Sequence, residues 1–220
     1  MTLPASVSPD VGERFFGYDG ETAVALQRDV EHLRLVPRPV VTLRPMGTDQ
    51  DDLGRTFVWC NLPDVAKYMY RDHEISYNEH NAWFQAQKDT WVRWIAEVDG
   101  EPIGFAQLYA INRKDGTFEW GDYIALTEAR GKGYGKWIKF LIHEHGFETL
   151  GLRKASCEVF ADNLSVWSSH LKFGYRMEGY FTAHVMKGGT ARDVVRVGML
   201  RDDWDRAKPK IMASLRCSAA

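Results

Sequence analysis

Cysteine is scarce in this sequence, and the few cysteines that occur are isolated. The 220 residues contain only Cys60, Cys157 and Cys217, and no two of them form a CxxC pair. This spacing argues against a disulfide framework and against a zinc knuckle, so we expect no metal site. Isolated thiols are typical of the reducing cytosol, which predicts a cytoplasmic protein.

Excess charge and long apolar runs are also missing. The formal net charge is −2, so bulk electrostatics do not favour binding to nucleic acid or to an anionic membrane. No window approaches the ~20 apolar residues that span a bilayer. Residues 1–20 lack the basic start and apolar run of a signal peptide. We therefore expect a soluble protein with a small-molecule partner, and a homodimer is left open.

The chain divides into three parts by composition, without internal repeats. Residues 1–39 contain one helical pattern, at 21–35, between stretches rich in proline and glycine. We interpret them as an N-terminal extension of unknown role. Residues 40–205 carry the periodic patterns of one folded domain, and 206–220 are interpreted as a C-terminal tail.

The first half of this domain predicts one strand and three helices. A short apolar run at residues 40–45 predicts the strand. Helical patterns follow at 49–59 and 65–70. Ser76 and Glu79 form a capping-box pattern that opens a third helix, extending to about residue 88.

From residue 91 the apolar period changes to two, which is typical of strands. The dipeptides Asp99-Gly100 and Asp115-Gly116 are turn signals, so we expect a meander of three antiparallel strands. The remaining domain alternates helix, strand, helix, strand, strand. This order predicts an α+β fold with a mixed central sheet flanked by helices.

The segment from Arg130 to Gly135 carries a ligand-binding signal. Its sequence, RGKGYG, lies between a predicted strand and a predicted long helix. Glycines let the backbone approach a ligand closely, and a helix N-terminus attracts phosphate. The spacing fits neither a P-loop nor a dinucleotide fingerprint. It resembles the R-x-x-G-x-G pyrophosphate loop of acetyl-CoA-dependent acetyltransferases, and a glycine-rich turn without a ligand is the alternative.

A second segment makes this resemblance more specific. Residues 163–175, NLSVWSSHLKFGY, resemble the N-x-x-A-x-x-x-Y-x-x-x-G-F pattern of the GNAT superfamily of N-acetyltransferases. Both motifs fall on the expected elements, and the resemblance covers about residues 40–200. It implies the GNAT acyl-CoA N-acyltransferase fold and the direct transfer of acetyl from acetyl-CoA to a primary amine.

The resemblance also implies where acetyl-CoA binds. The co-substrate would lie in a splay between the third meander strand and the next strand, and no metal would take part. A backbone N–H of Ile124 or Ala125 would stabilise the developing oxyanion. The implied cofactor-binding residues are Ile124, Ala125, Leu126, Arg130, Gly131, Lys132, Gly133, Tyr134, Gly135 and Asn163.

Two side chains are the implied catalytic residues. Glu119 occupies a position where GNAT enzymes often have a carboxylate base, and Asp122 and Glu158 are weaker candidates. His170 replaces the tyrosine that usually protonates the leaving thiolate, and a protonated imidazole can donate the same proton. The alternative roles are a solvated strand residue for Glu119, and packing or hydrogen bonding for His170.

The region before the meander resembles a narrower group of enzymes. Trp59, Asn61 and the run from His73 to His80 resemble the nucleotide-linked amino-sugar N-acetyltransferases of the pseudaminic acid pathway, which acetylate a UDP-linked sugar. Cys60 stands where those enzymes usually have arginine, a natural phosphate partner. We expect substrate contacts from Trp59, Asn61, His73 and Tyr123, with core packing as the alternative for Trp59.

Two other functions remain open. The acceptor can be a protein N-terminus or an aminoglycoside-like amine, and the charge of the acceptor cleft discriminates between these acceptors. An acidic cleft would favour a cationic acceptor, whereas a basic cleft would favour a nucleotide sugar. Alternatively, the missing tyrosine is the mark of a catalytically silent acyl-CoA-binding module.

Overall fold

The structure is a computed structural model that describes residues 40–47, 49–86 and 90–217. The expected N-terminal extension 1–39, with its helix at 21–35, lies outside the described residues. None of the helices in the described ranges is long and apolar enough to cross a membrane.

A seven-stranded mixed sheet forms the centre of the fold. Its strands lie in the order β1-β2-β3-β4-β5-β7-β6. Only β4 and β5 are parallel, and every other neighbouring pair is antiparallel. The sheet confirms the predicted fold class. The strands are β1 Val41–Pro45, β2 Val92–Val98, β3 Glu101–Asn112, β4 Thr117–Ile124, β5 Lys154–Phe160, β6 Arg176–Lys187 and β7 Thr190–Leu200.

The predicted meander is β2, β3 and β4. Asp99 and Gly100 connect β2 to β3 with φ angles of 53° and 86°. Two successive positive φ angles are the signature of a tight hairpin turn whose twist matches that of the strands. Gly116, at φ 64°, occupies the second predicted turn.

Helices cover the sheet in the order that the sequence predicts, with one addition at the end. The expected capping box is present at the start of α3, where Ser76 N donates to Glu79 Oε2 at 2.8 Å. Glu79 N donates in return to Ser76 Oγ at 3.3 Å. The helices are α1 Asp52–Asn61, α2 Pro63–Ala66, α3 Tyr77–Ala86, α4 Tyr134–Glu144, α5 Leu164–Phe173 and α6 Arg201–Cys217.

The addition is α6, which crosses the expected domain boundary at residue 205. The sequence suggests a tail from 206 to 220, but the helix continues to Cys217 and packs on the domain. Trp204, Ile211 and Leu215 are buried in the core. Because these apolar side chains lie on one helix face, their burial holds α6 against the rest of the fold.

His143 on α4 is completely buried in the core. Its Nδ1 donates to Lys139 O at 2.6 Å, so Nε2 is the acceptor for the Tyr175 hydroxyl. Burial lowers the pKa of His143 to about 3. This histidine is therefore a neutral core residue whose two ring nitrogens are both paired.

The parallel pair β4–β5 separates soon after it begins. The two strands are paired only from Thr117 with Lys154 to Glu119 with Ser156. Beyond this point β4 continues to Ile124 and β5 to Phe160 without pairing to each other. The sheet therefore has a gap at the position where the sequence predicts a splay.

Candidate active site

A cavity of about 1480 Å³ lies at the gap between β4 and β5. It exceeds the roughly 300–1,000 Å³ of an ordinary ligand pocket, so it has room for two substrates. One part, the glycine-loop end, is lined by Gly131, Gly133, Gly135, Lys136, Lys172, Lys210 and Ser214. Another part, the aromatic wall, is lined by Tyr70, Trp83, Trp91, Phe105, Tyr109 and Tyr123.

The backbone conformation of the glycine loop explains its composition. Gly131 and Gly133 have φ angles of +77° and +83°, in the left-handed region that favours glycine. An added Cβ would meet nothing within 4 Å at either position, so the requirement is conformational rather than spatial. Gly133 immediately precedes α4, whose first turn presents N–H groups and a partial positive charge. This end of the cavity can therefore bind a phosphate group.

Three lysines add positive charge at the same end. Lys136, Lys172 and Lys210 come from α4, α5 and α6 and line the cavity together. Sequence reasoning did not select them, and it placed Lys210 in the expected tail. Together with the helix N-terminus they form a basic region that suits a polyphosphate.

Arg130 lines the cavity, and its guanidinium is also paired within the protein. Its Nε donates to Ile124 O at 3.0 Å, and one of its terminal nitrogens donates to Ala125 O at 3.2 Å. The other terminal nitrogen pairs with Asp64 Oδ2 at 3.1 Å. These contacts tie the glycine loop to the end of β4, so the guanidinium supports the loop, and its contact with a phosphate stays a prediction.

The hydrogen bonds at the end of β4 distinguish between the two expected oxyanion donors, the N–H groups of Ile124 and Ala125. The N–H groups of Ala125 and Leu126 both donate to Ile103 O, at 2.9 and 3.3 Å. The N–H of Ala125 is therefore already paired within the protein. Of the two predicted oxyanion donors, Ile124 is the one that this geometry leaves.

The other predicted cofactor residues lie in different environments. Asn163 immediately precedes α5 and lines the cavity. Lys132 is exposed and does not line it, and Tyr134 is half-buried against the core. Among these three, only Asn163 is brought to the cavity.

His170 lies in the cavity wall as a neutral imidazole, not as the imidazolium that the sequence-based hypothesis considers. Lys139 Nζ donates to its Nδ1 at 2.7 Å. Burial lowers the pKa of His170 to about 2, and the charges of Lys139 and His143 act in the same direction. The imidazole is therefore neutral at physiological pH, and its role as the acid stays a prediction.

Lys139, which contacts this histidine, interacts electrostatically with Asp122. Burial lowers the pKa of Lys139, whereas the charge of Asp122 opposes that shift. Burial likewise raises the pKa of Asp122 to about 6, and Lys139 opposes it. Lys139, Asp122 and His170 all line the cavity, so a titratable cluster faces the interior at the gap.

Glu119 lines the cavity beside a second carboxylate, Glu158. One guanidinium joins them: the terminal nitrogens of Arg196 pair with Glu119 Oε1 at 3.0 Å and with Glu158 Oε1 at 2.8 Å. Tyr70 Oη donates to the other oxygen of Glu158 at 2.9 Å. Burial raises the pKa of Tyr109, and the neighbouring Glu119 raises it further. Sequence reasoning selected Glu119, with Glu158 as a weaker candidate, but did not select Arg196 or Tyr109.

The rings of the aromatic wall contact one another in pairs. Trp91 lies 5.2 Å from Tyr109 between ring centroids, and Phe105 lies 5.6 Å from Tyr123. The guanidinium of Arg93 lies 4.2 Å from the ring centroid of Trp83. Such contacts fix the ring orientations, so the wall presents a rigid, largely apolar surface.

Three of the four expected substrate residues are outside this cavity. Trp59 is buried in a small cluster with Ile95 and Ala125, which corresponds to the packing alternative. Asn61 exchanges two hydrogen bonds with the backbone of Ile75, so its amide holds the loop before α3.

His73 is exposed and contacts Glu79 at 3.1 Å, beside a separate cleft of about 290 Å³. Tyr123 is the expected substrate residue that lines the large cavity. The expected cluster of Trp59, Asn61, His73 and Tyr123 is therefore not brought together by the fold.

The fold and the glycine-loop end agree with the predicted acetyltransferase class. Residues 41–176 match the family described as the acetyltransferase (GNAT) domain, and the chain belongs to this family. It is 31% identical over 134 residues to the SPbeta prophage-derived uncharacterized N-acetyltransferase YokL of Bacillus subtilis, covering 59% of this chain and 74% of that protein.

Two polyamine enzymes are also similar. The spermidine N(1)-acetyltransferase of Escherichia coli K12 is 25% identical over 166 residues, covering 74% of this chain and 88% of that protein. The structure of spermidine N-acetyltransferase from Vibrio cholerae with CoA and spermine has a TM-score of 0.69 and 22% identity. That comparison covers 74% of this chain and 97% of the other, and it shows the shared fold. The protein is an acetyl-CoA-dependent acetyltransferase that acts on an amine.

Proposed function

We propose that this enzyme acetylates a primary amine of a small, cationic acceptor of the polyamine type. The observation that carries this proposal is the pair of carboxylates, Glu119 and Glu158, in the cavity beside the aromatic wall. Two similar proteins are named as acetyltransferases of spermidine, which is a cationic amine, and this supports the proposal. The expected nucleotide amino sugar is a different acceptor class with the opposite charge.

The charge balance at the carboxylates supports a cation. Two carboxylates share the single guanidinium of Arg196, which leaves one net negative charge in this group. Arg196 also keeps the two carboxylates in place, so an arriving ammonium meets oriented acceptors. Rings such as Tyr109 and Trp91 can stabilise further ammonium groups through their negative faces.

A nucleotide sugar would need cationic partners for its two phosphates. Arg71 lines the cavity, but its donors are directed to the backbone carbonyl groups of Cys60 and His73. Cys60, which stands where the amino-sugar enzymes usually have arginine, is a neutral thiol whose pKa is raised by burial. These contacts favour the cationic acceptor over the nucleotide sugar.

The reaction needs a deprotonated amine, and Glu119 is the proposed base. Its carboxylate can accept the proton of the ammonium directly or through a water molecule. Arg196 and Tyr109 keep the carboxylate oriented towards the cavity wall. Both oxygens of Glu158 are already hydrogen-bonded, to Arg196 and to Tyr70. We therefore assign Glu158 the attraction of the cation through its charge, and not the proton transfer.

Acetyl-CoA supplies an acetyl thioester, a reactive acyl donor. The N–H groups that follow Gly133 and the three lysines Lys136, Lys172 and Lys210 are the proposed phosphate ligands. The cytoplasmic location and the homodimer stay predictions from the sequence. A CoA-dependent reaction agrees with the former.

A thiol-release assay with acetyl-CoA tests the proposal. Its acceptor panel contains putrescine, spermidine, an aminoglycoside, a peptide with a free N-terminus and a UDP-linked 4-amino sugar. We expect the highest kcat/KM with a polyamine and a KM for that amine that rises with salt, because salt screens the attraction to the carboxylates. Turnover confined to the nucleotide sugar would overturn the proposal, and tight acetyl-CoA binding without any turnover would indicate a silent acyl-CoA-binding module.

A further inference from the structure

Two nitrogen bases, Lys139 and His170, are buried in contact at the cavity wall. Lys139 Nζ lies 2.7 Å from His170 Nδ1 and 3.1 Å from Ser169 Oγ. An ammonium can only donate, so Nδ1 of the imidazole is the acceptor. The neutral ring then carries its one proton on Nε2. The lysine therefore selects the histidine tautomer that has a donor on the opposite side of the ring.

This pair lies where the two parallel strands separate. Trp120 is the first residue of β4 beyond the last paired position, Glu119 with Ser156. Its ring centroid is 5.1 Å from that of His170 and 5.8 Å from Lys139 Nζ. The histidine is therefore beside the gap in the sheet.

The burial of Lys139 carries a cost that packing alone does not explain. Its exposed fraction is 7%, and its hydrogen-bond partners among the described residues are a hydroxyl and an imidazole, both neutral. A buried ammonium without a directly bonded carboxylate is destabilising, and an apolar residue of similar volume would serve the packing at least as well. A charge kept at such a position in an active-site cleft indicates a function.

We propose that Lys139 supplies, through His170, the proton that the CoA sulfur receives when the thioester breaks; this inference rests on the proposed function. As the C–S bond breaks, its electron pair goes to sulfur. The sulfur takes the Nε2 proton of His170, and Nδ1 takes a proton from Lys139 Nζ. Lys139 is left as a neutral amine and His170 as the other neutral tautomer. Solvent then protonates Nε2, and the Nδ1 proton returns to Lys139, which restores the starting state.

His170 is the donor in this step, and Lys139 is a positioning residue that acts through it. The scheme needs no imidazolium, which agrees with the pKa of His170 near 2. It does need a lysine that can lose a proton, and burial lowers the pKa of Lys139 in that direction. In this scheme His170 remains the acid that the sequence predicts, and Lys139 replaces the proton that His170 donates.

The groups around Lys139 determine the expected pH dependence. Asp122 on β4 and Cys157 on β5 raise its pKa, whereas burial and Lys136 on α4 lower it. His143, on the same helix, stays neutral because its pKa is about 3. The value of kcat should therefore fall as pH rises through the lowered pKa of Lys139. The loss should begin below the usual lysine range near ~10.4.

Two substitutions at residue 139 separate proton supply from charge. Lys139→Met removes both, and Lys139→Arg keeps a donor and the charge but cannot release a proton in the accessible pH range. We expect kcat with the best amine to fall about 10²-fold in both variants, the scale of general acid catalysis, and the alkaline limb to disappear. Lys154→Met, which removes a lysine paired with Glu178 outside the cavity, is the matched control and should keep the activity.

Each result has a defined meaning once the wild-type enzyme turns over an amine. Full activity in Lys139→Arg would reduce the lysine to a fixed charge and overturn the relay. An unchanged pH profile in Lys139→Met would do the same. Should the variants not fold, the wild-type profile decides, because an absent alkaline limb below the usual lysine range contradicts the inference. Wild type without activity on any amine would instead contradict the proposed function.

Discussion

The glycine-loop end and the aromatic wall of the cavity are built in different ways. The loop is a continuous segment, and its left-handed glycines and the start of α4 provide backbone groups. The wall and its two carboxylates come from side chains on α3, β3, β4 and β5 and on the segments after α2 and before β2, and Arg196 on β7 joins the carboxylates. The loop acts through its backbone, with charge added by three lysines, whereas the wall acts through side chains alone.

This difference determines how each site responds to substitution. We expect Lys132 in the loop to tolerate substitution, because its side chain is exposed and does not line the cavity. In the wall, a single atom matters, because each carboxylate oxygen that binds Arg196 or Tyr70 has a specific partner. Mutations should therefore be able to change the binding of acetyl-CoA and the binding of the amine separately.

The largest expected effect is that of Glu119→Gln in the wall. An amide cannot accept the proton of the ammonium, so kcat/KM for the amine should fall about 10²-fold or more. The affinity for acetyl-CoA should not change, because Glu119 is not part of the glycine-loop end. Steady-state kinetics and calorimetric titration with CoA measure the two quantities.

Glu178→Gln is the matched control for this prediction. Glu178 is a carboxylate on β6 that pairs with Lys154 at 2.8 Å and does not line the cavity. Its substitution should leave both quantities near the wild-type values. An equal loss in the two variants would show that Glu119 acts through stability and not as a base.

A smaller effect is expected from Gly133→Val in the loop. A branched residue at a φ of +83° costs about 1–3 kcal/mol, which corresponds to about a 5- to 150-fold weaker affinity for acetyl-CoA if the loop conformation changes. Gly151→Val is the matched control, since Gly151 has a φ of +66°, equally open surroundings and no contact with the cavity. Similar melting temperatures for the two variants, with weak CoA binding in the first only, would support the comparison.

Much of the fold could be predicted because its signals are local. Asp99-Gly100 and the Ser76–Glu79 pair lie within a few residues of the structures that they specify. The helix α6 was missed because its first half is highly charged and contains Pro209. The apolar positions Trp204, Ile211 and Leu215 do follow a helical period, and this pattern is the signal that could have found it.

The glycine loop was predictable as a set because it is continuous in sequence, whereas on the acceptor side only single residues, Glu119, Glu158 and Tyr123, were selected. The glycine loop is six consecutive residues, whereas Tyr70, Glu119, Glu158 and Arg196 come from four separate segments and meet only in the folded protein. Lys139 did carry a signal, since it is a charge between buried Ile138 and Phe140 on the amphipathic helix α4. Ion pairs between residues on distant strands, by contrast, leave no comparable pattern in the local sequence.

The smallest expected effect concerns the second carboxylate and tests whether single hydrogen bonds matter in the wall. Tyr70→Phe removes the hydroxyl that donates to Glu158 Oε2, which should weaken amine binding by about 1 kcal/mol, or roughly fivefold in KM. Tyr180→Phe removes a comparable donor to Asp193 outside the cavity and should leave KM unchanged. A change in the KM for acetyl-CoA instead would mean that a hydroxyl of the aromatic wall controls the binding of acetyl-CoA. The glycine-loop end and the aromatic wall would then be coupled.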